Sequence, residues 1–272
     1  MITLKKEIKI SGNGLMKNKT CDVTLFPSNS GKIRYFVKDK DSFIANTDSV
    51  LATDHCVVLG TNKVRAMLTE HLTAALAFCH IDSVDICMSE EEVPILDGSS
   101  RIWVEEIKKA GTTKKMFEKE KQYTVSEPVY YLNGKTSLVI LPSDNLFISY
   151  AVNYDQPDLK GKFVNYNPKN KEEIIEARTF GFYRDLKKFQ MLGFAQGVTA
   201  ENTLGFMDDG SYSTPLRSEL EPIKHKVLDL IGDLYLTGFN PLDLKCQILV
   251  KEAGHTVHVK TAKMLKDKII QI

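Results

Sequence analysis

Histidines and carboxylates at helical spacing carry the chemistry that this sequence could perform. His225, Asp229 and Asp233 follow one another at intervals of four residues, which places them in one stripe along an α-helix. Apolar residues fill most other positions from 223 to 236, so we expect this helix to be buried. A buried carboxylate needs a partner, and a divalent metal ion would satisfy it. Imidazole and carboxylate on one helical face form a partial ligand set for zinc.

A plainer interpretation of this spacing is also open. A helix can carry a solvated histidine and capping-type charges in its first turn without binding any ion. The spacing of His225 and Asp229 does not distinguish between the two interpretations.

A second candidate pair lies in the stretch TEHLTAALAF, residues 69–78. Glu70 directly precedes His71 in a segment with an apolar helical face, and neighbouring side chains project about 100° apart around a helix axis. One residue could therefore bind an ion while the other lies beside a bound water molecule, as metal-assisted hydrolysis requires. The alternative for His71 is a hydrogen-bonded histidine of the core.

The elements that must position these residues occur in an order that is found twice. Each half has strands, then a helix, a further strand and a last helix. The first half has strands between Glu7 and Tyr35, a helix from Lys63 to Cys79, a strand at 84–88 and a helix from Ser100 to Ala110; the second has strands at 136–142 and 146–152, a helix at 221–238, a strand at 244–250 and a helix at 255–269.

This duplicated order predicts an α+β fold of two similar domains, each an antiparallel sheet layered with helices. We expect the first domain to comprise residues 1–115 and the second residues 123–272. The lysine-rich stretch at 111–122 has the polarity of a linker between them, although its charges would also suit a solvated helix end.

Composition narrows the class of protein. The chain is 43 % hydrophobic and 26 % charged, with a net charge of +1, which is typical of a soluble globular protein and argues against a nucleic-acid partner. Its five cysteines show no CxxC spacing, so we expect reduced thiols and neither a disulfide framework nor a cysteine-rich zinc site. No signal-peptide core and no run of about 18 apolar residues occurs. We therefore expect a cytoplasmic protein.

Five motifs in order, along nearly the whole chain, resemble the LpxC family. This family comprises the zinc-dependent UDP-3-O-acyl-N-acetylglucosamine deacetylases of lipid A biosynthesis. The motifs are TEHLTAALAFCHID (69–82), EEVPILDGSS (91–100), EARTFGFYRDL (176–186), HKVLDLIGDLYLTG (225–238) and AGHTVHVK (253–260). Each motif is short, and the combination is specific.

The resemblance implies a zinc-dependent amide hydrolase. His71, His225 and Asp229 match the zinc ligands of the family. Glu70 matches the carboxylate that acts as the general base on the zinc-bound water. A UDP-linked acylated amino sugar is the implied substrate.

The remaining site residues follow from the same resemblance. His255 matches a general acid that also stabilises the oxyanion, and Asp233 matches the residue that orients it. Thr179 matches a hydroxyl that polarises the amide carbonyl, and Phe180 a ring that packs against the sugar. Lys226 matches a cation for polar groups of the substrate.

The family's fold implies a small insert in each domain and an active site between the domains. By position, the second insert covers roughly Gly181 to Leu204, where the family forms a hydrophobic passage for the acyl chain. An ordinary amphipathic helix on its own core is an equal alternative for this segment. We expect a monomer with at most peripheral contact to a membrane.

Several positions depart from the family pattern. Met16 follows GNGL where the family usually has histidine, and Gln196 and Val198 stand in a loop that is usually Gly-Gly-Ser. His258 replaces a common asparagine after AGH. None of these positions is an implied ligand or base, so we expect them to affect acyl-chain length, nucleotide contacts or efficiency more than the type of reaction.

Overall fold

The structure, a computed structural model, describes residues 1–113 and 122–272. Several sheets are layered with helices, and this confirms the predicted α+β fold class. The predicted linker at 111–122 falls mostly on residues 114–121, which lie outside the described residues, so the division into domains at this point stays a prediction. Among the described helices, none combines the length and apolar character needed to span a membrane.

The first half contributes a sheet, a smaller three-stranded sheet and two helices. Its strands are β1 (Ile8–Asn13), β2 (Thr20–Pro27), β3 (Ile33–Val37), β4 (Asp41–Ile44), β5 (Val50–Ala52), β6 (Val58–Gly60), β7 (Arg65–Met67) and β8 (Val84–Met88). Its helices are α1 (Glu70–Phe78) and α2 (Arg101–Ala110).

The second half repeats this arrangement with additional strands and helices. Its strands are β9 (Tyr123–Val125), β10 (Val129–Asn133), β11 (Thr136–Pro142), β12 (Phe147–Ala151), β13 (Phe163–Tyr166), β14 (Thr179–Phe182), β15 (Thr203–Phe206), β16 (Leu244–Lys251) and β17 (Ile269–Gln271). Its helices are α3 (Lys171–Ile175), α4 (Tyr183–Met191), α5 (Glu221–Leu234) and α6 (His255–Leu265).

The two main sheets share one topology. Five strands of each sheet follow the orders β1-β2-β8-β3-β4 and β10-β11-β16-β12-β13, in which the strand latest in sequence lies at the centre. The second sheet also contains β9, which pairs parallel to β16, and β17, which pairs with β9. The expectation of antiparallel sheets holds for the other pairs along these orders, but β8 pairs parallel to β3 and β16 parallel to β12. A parallel neighbour requires a crossover connection, and α1 and α5 are the helices that precede β8 and β16.

The crossover helices α1 and α5 pack against each other and are buried along their whole length. A single apolar core includes Leu72 and Leu76 of α1, Val227 and Leu228 of α5, and residues of both main sheets. The small side chains of α1 allow a close approach between the helices. A Cβ atom at Gly232 of α5 would overlap the backbone carbonyl of Glu70, so glycine is required at this crossing.

Several element boundaries differ from the sequence prediction. The helix expected from Lys63 begins only at Glu70, because Arg65–Met67 pairs with β6 and Leu68 adopts a positive φ of 60°. A short apolar strand and the first turn of a helix look alike in sequence. The helices expected to reach residues 238 and 269 end as α-helices at Leu234 and Leu265 and continue as 3-10 turns.

Replacing Gly232 with alanine tests the helix crossing. In an ordinary helix this change stabilises by about 1 kcal/mol. Here the added methyl group would meet backbone, and we expect the free energy of unfolding to fall by about 1–3 kcal/mol, as in overpacked cores. Chemical denaturation measures the change, with Gly181→Ala as the control because a Cβ there meets nothing within 4 Å. Unchanged or increased stability of Gly232→Ala would contradict the close approach.

Candidate functional site

The crossing of α1 and α5 brings the three predicted metal ligands together. The Nε2 atom of His225 lies 3.3 Å from Oδ1 of Asp229, and the Nε2 atom of His71 lies 3.8 Å from the same oxygen. The ligand atoms of all three residues lie within 4.8 Å of one another, and all three residues are buried. The predicted proximity of His71 to the later helix is therefore present in the structure.

Neighbouring groups orient two of these side chains. Nδ1 of His225 lies 3.0 Å from the carbonyl oxygen of Ala177, so this nitrogen carries the hydrogen and Nε2 presents its lone pair to the cluster. The Lys226 ammonium donates to Oδ2 of Asp229 at 2.7 Å, which leaves Oδ1 directed at the two imidazoles. Contacts of this kind fix a ligand before any ion arrives.

The charge states of His71, His225 and Asp229 favour the binding of a cation. Burial, reinforced by His225, lowers the pKa of His71 to about 3, and burial also lowers the pKa of His225. Burial opposes ionisation of Asp229, but His225 and Lys226 outweigh it and hold its pKa well below the usual value. Two neutral imidazoles and one carboxylate are the forms in which these residues bind metal.

The residues present fit a zinc ion. Oδ1 of Asp229 is buried and, within the part of the chain that the structure describes, has no hydrogen-bond partner. A cation at the centre of the cluster would satisfy this oxygen. Two histidines and one carboxylate with room for a further ligand form a common donor set of catalytic zinc sites.

Glu70 lies on α1 at the edge of the cluster. Its Oε2 atom accepts a hydrogen bond from the backbone nitrogen of Val57 at 3.1 Å, while its Oε1 atom lies 3.9 Å from Nε2 of His255. Burial raises the pKa of Glu70 to about 7, with Asp233 and Asp229 adding to the rise and His255 opposing it. A carboxylate with a pKa near neutrality is suited to accept a proton.

His255 faces Glu70 from the first turn of α6. Its Nδ1 lies 2.8 Å from Oδ2 of Asp233, and its Nε2 also lies 3.9 Å from Oδ2 of Asp229. Burial opposes protonation, but Asp233 and Asp229 outweigh it and raise the pKa of His255 to about 9. The imidazole is therefore protonated at neutral pH, with Nε2–H directed towards the cluster.

Of the three residues predicted to contact the substrate or its carbonyl group, Thr179 and Phe180 lie on β14 and Lys226 lies on α5. Phe180 is half-buried on β14, where its ring stacks on Phe206 at 5.0 Å and lies 6.0 Å from the ring of His225. Thr179 precedes it, and its backbone nitrogen bonds to the carbonyl of Gly98 at 2.7 Å. Lys226 is buried and donates a hydrogen bond to Asp229. In this structure its positive charge therefore neutralises the Asp229 carboxylate.

A buried ion pair that positions the site was not identified from the sequence. Arg178, directly before β14, donates to both carboxylate oxygens of Glu221 at 2.9 and 3.1 Å. Glu221 opens α5, where a negative charge is favourable, and Pro222 stands in the same first turn. The pair therefore holds β14 against the helix that carries His225. No sequence spacing connects residues 43 positions apart.

Three departures from the family pattern lie together. The backbone nitrogen of Gln196 bonds to the carbonyl of Met16 at 3.1 Å, so the GNGL loop of the first half meets the second insert. Met16 and Val198 both pack on a small apolar cluster that includes Leu15 and Leu68. These residues thus meet at one place in the structure, and none of them belongs to the cluster of His71, His225 and Asp229.

Comparison with known proteins identifies the same family that the sequence motifs resemble. The chain matches the model of the LpxC family, described as UDP-3-O-acyl N-acetylglycosamine deacetylase, over residues 2–267. A UDP-3-O-acyl-N-acetylglucosamine deacetylase from Chlamydia caviae is 34 % identical over 271 residues, 97 % of this chain and 95 % of the relative. Proteins of that name from Leptospira biflexa and Trichormus variabilis are 31 % and 30 % identical, over 98 % and 97 % of this chain and 90 % and 97 % of their own lengths.

The fold and the site define a class of α+β protein with two halves of similar topology. A buried cluster of potential metal ligands lies on the crossover helices, one from each half. The family match covers nearly the whole length of the chain. The protein belongs to the LpxC family, as the five motifs indicated.

Replacing His225 with alanine tests the cluster as a metal site. We expect the wild-type chain to retain one zinc ion after loading and gel filtration. The variant should lose affinity by more than the roughly 10–100-fold that changes outside a ligand set cause. Elemental analysis measures the ratio of zinc to protein. His80→Ala is the control, because this half-exposed imidazole pairs with Asp243 at 3.0 Å; full retention of zinc by His225→Ala would contradict the assignment.

Proposed function

We propose that this protein is a zinc-dependent deacetylase that hydrolyses the acetamide of UDP-3-O-acyl-N-acetylglucosamine in lipid A biosynthesis. The observation that carries the proposal is the arrangement around the ligand cluster. Glu70, with a pKa of about 7, and protonated His255 face each other with Oε1 and Nε2 3.9 Å apart. Membership of the family and the names of the relatives support the same reaction.

His71, His225 and Asp229 would hold the Zn²⁺ ion. When bound, zinc lowers the pKa of a coordinated water and polarises a carbonyl group. Lys226 neutralises the outer oxygen of Asp229, so it also limits the charge that Asp229 brings to the site.

Each residue proposed to transfer a proton has one atom in a hydrogen bond and, among the described residues, a second side-chain atom without one. Oε2 of Glu70 is bonded to Val57, so Oε1 is the atom that takes the proton of the attacking water. Nδ1 of His255 is bonded to Asp233, so Nε2 donates to the nitrogen of the departing amine. Water is thereby added across the amide C–N bond, and the products are acetate and the free amino sugar.

The positive charge of His255 is also proposed to stabilise the transition state. An imidazolium beside the carbonyl oxygen stabilises the negative charge that develops during attack. The hydroxyl of Thr179 is proposed to polarise the same carbonyl, and the half-buried ring of Phe180 to pack against the sugar. Lys226 could bind polar groups of the substrate only by exchanging its contact with Asp229.

The second insert, roughly Gly181 to Leu204, is proposed to accept the acyl chain. Met191, Leu192 and Phe194 are 88 %, 63 % and 43 % exposed, which is unfavourable in water unless a lipid chain or another apolar surface covers them. The proposal includes the division into residues 1–115 and 123–272. It also includes a cytoplasmic monomer with at most peripheral membrane contact.

Replacing Glu70 with glutamine tests its role as a base. Glutamine keeps the shape and can still accept the hydrogen bond from Val57, so zinc should be retained. Turnover should fall by about two to four orders of magnitude, the scale of a lost general base. Steady-state acetate release measures it, with the exposed Glu105→Gln as the control. Wild-type turnover in Glu70→Gln would show that another group takes the proton.

Substrate comparison tests the proposed function itself. We expect the zinc-loaded protein to release acetate from UDP-3-O-acyl-N-acetylglucosamine, to lose this activity with a chelator and to regain it when zinc is added. Free N-acetylglucosamine should be hydrolysed far more slowly, because it lacks the nucleotide and the acyl chain. Equal rates on both compounds would indicate a different amide substrate, and activity unaffected by chelation would exclude zinc dependence.

A further inference from the structure

Asp233 is held by two imidazoles, although the family resemblance accounts for only one of them. Nδ1 of His255 and Nδ1 of His258 each lie 2.8 Å from the same oxygen, Oδ2 of Asp233. Asp233 and His258 are buried, with 1 % and 0 % of their surfaces exposed. The two histidines stand three residues apart and therefore share one face of α6.

The directions of these hydrogen bonds follow from charge. Burial opposes ionisation of Asp233, but His255 and His258 outweigh it and lower its pKa. An ionised carboxylate can only accept, so both Nδ1 atoms donate to Oδ2. Burial also lowers the pKa of His258, so its Nε2 is an acceptor that faces the Tyr150 hydroxyl at 3.0 Å. This hydroxyl has a single hydrogen, for which Nε2 and the carbonyl oxygen of Ala253, at 2.7 Å, are the two acceptors.

The other oxygen of Asp233 does not hold the carboxylate in place. Oδ1 is buried and has no hydrogen-bond partner among the described residues. Rotation of the carboxylate about its last side-chain bond is therefore restrained mainly at Oδ2. Without His258, the Asp233 carboxylate that bonds to His255 would have no second hydrogen bond among the described residues to fix its orientation.

We propose that His258 is a positioning residue, which fixes the Asp233 carboxylate so that Nε2 of His255 faces the reaction site, with Tyr150 as its outer anchor. This inference rests on the proposed function, in which His255 donates a proton. His258 stands where the family commonly has asparagine, and an asparagine amide can also donate a hydrogen bond to Asp233. The substitution in this chain therefore exchanges one donor for another that reaches further, to Tyr150.

Kinetics of the zinc-loaded full-length protein test the proposal. His258→Ala should lower kcat by about 10–100-fold, the usual cost of removing a group that orients a functional side chain, with KM and zinc content unchanged. His258→Asn should recover most of the loss because it restores a donor. Tyr150→Phe should give a smaller loss. Wild-type kcat in His258→Ala, or loss of zinc from it, would overturn the proposal.

A double-mutant cycle separates positioning from general support of the fold. In an Asp233→Ala background, His258→Ala should cause no further loss of kcat, because the two residues act through one oxygen. Equal losses in both backgrounds would overturn the proposal. If His258→Ala does not fold, which thermal unfolding would show, the same cycle with Tyr150→Phe decides between these outcomes.

NMR of the imidazole groups tests this inference independently of enzymatic activity. In protein labelled with ¹⁵N-histidine, the Nδ1–H proton of His255 should be protected from exchange in the wild type, weakly protected in His258→Ala and protected again in His258→Asn. Equal protection in all three would overturn the inference even if the enzyme is active. A wild-type protein that releases no acetate but shows this pattern would contradict only the proposed function.

Discussion

The close packing of α1 against α5 is the constraint on which the site depends. Each helix is the crossover connection of one half, and neither half contains the whole ligand set: His71 belongs to α1, whereas His225 and Asp229 belong to α5. The absence of a side chain at Gly232 permits the approach, because any Cβ atom there would overlap the backbone of Glu70. The proposed metal binding would therefore depend on the docking of the two halves, and a shift at this crossing would separate His71 from His225 and Asp229.

Burial acts on three nearby carboxylates with different results. His225 and Lys226 stabilise the charge of Asp229, and Asp233 accepts from two imidazoles, so both carboxylates have lowered pKa values despite burial. Glu70 accepts a hydrogen bond from the backbone of Val57, and burial, with the charges of Asp233 and Asp229, raises its pKa to about 7. The surroundings thus give three carboxylates of almost the same chemistry different charge states, which suit the roles proposed for them: ligand, orienting group and proton acceptor.

Residue spacing predicted local features of this site, and the family resemblance predicted that His71 meets the helix of His225, but other long-range pairings were not predicted. The four-residue spacing placed His225 and Asp229 on one helical face, and the motifs identified the family. Spacing could not show that Lys226 turns towards Asp229, that α1 starts at Glu70 and not at Lys63, or that each main sheet contains a parallel pair. These features depend on which chain segments meet in the folded protein, and a single sequence carries no direct signal of that.

Anomalous diffraction at the zinc edge, on crystals of the zinc-loaded protein, tests the central claim most directly. We expect one strong anomalous peak between Nε2 of His71, Nε2 of His225 and Oδ1 of Asp229, at about 2.0–2.2 Å from each atom. A peak bound elsewhere, or His71 too far from α5 to share the ion, would contradict it.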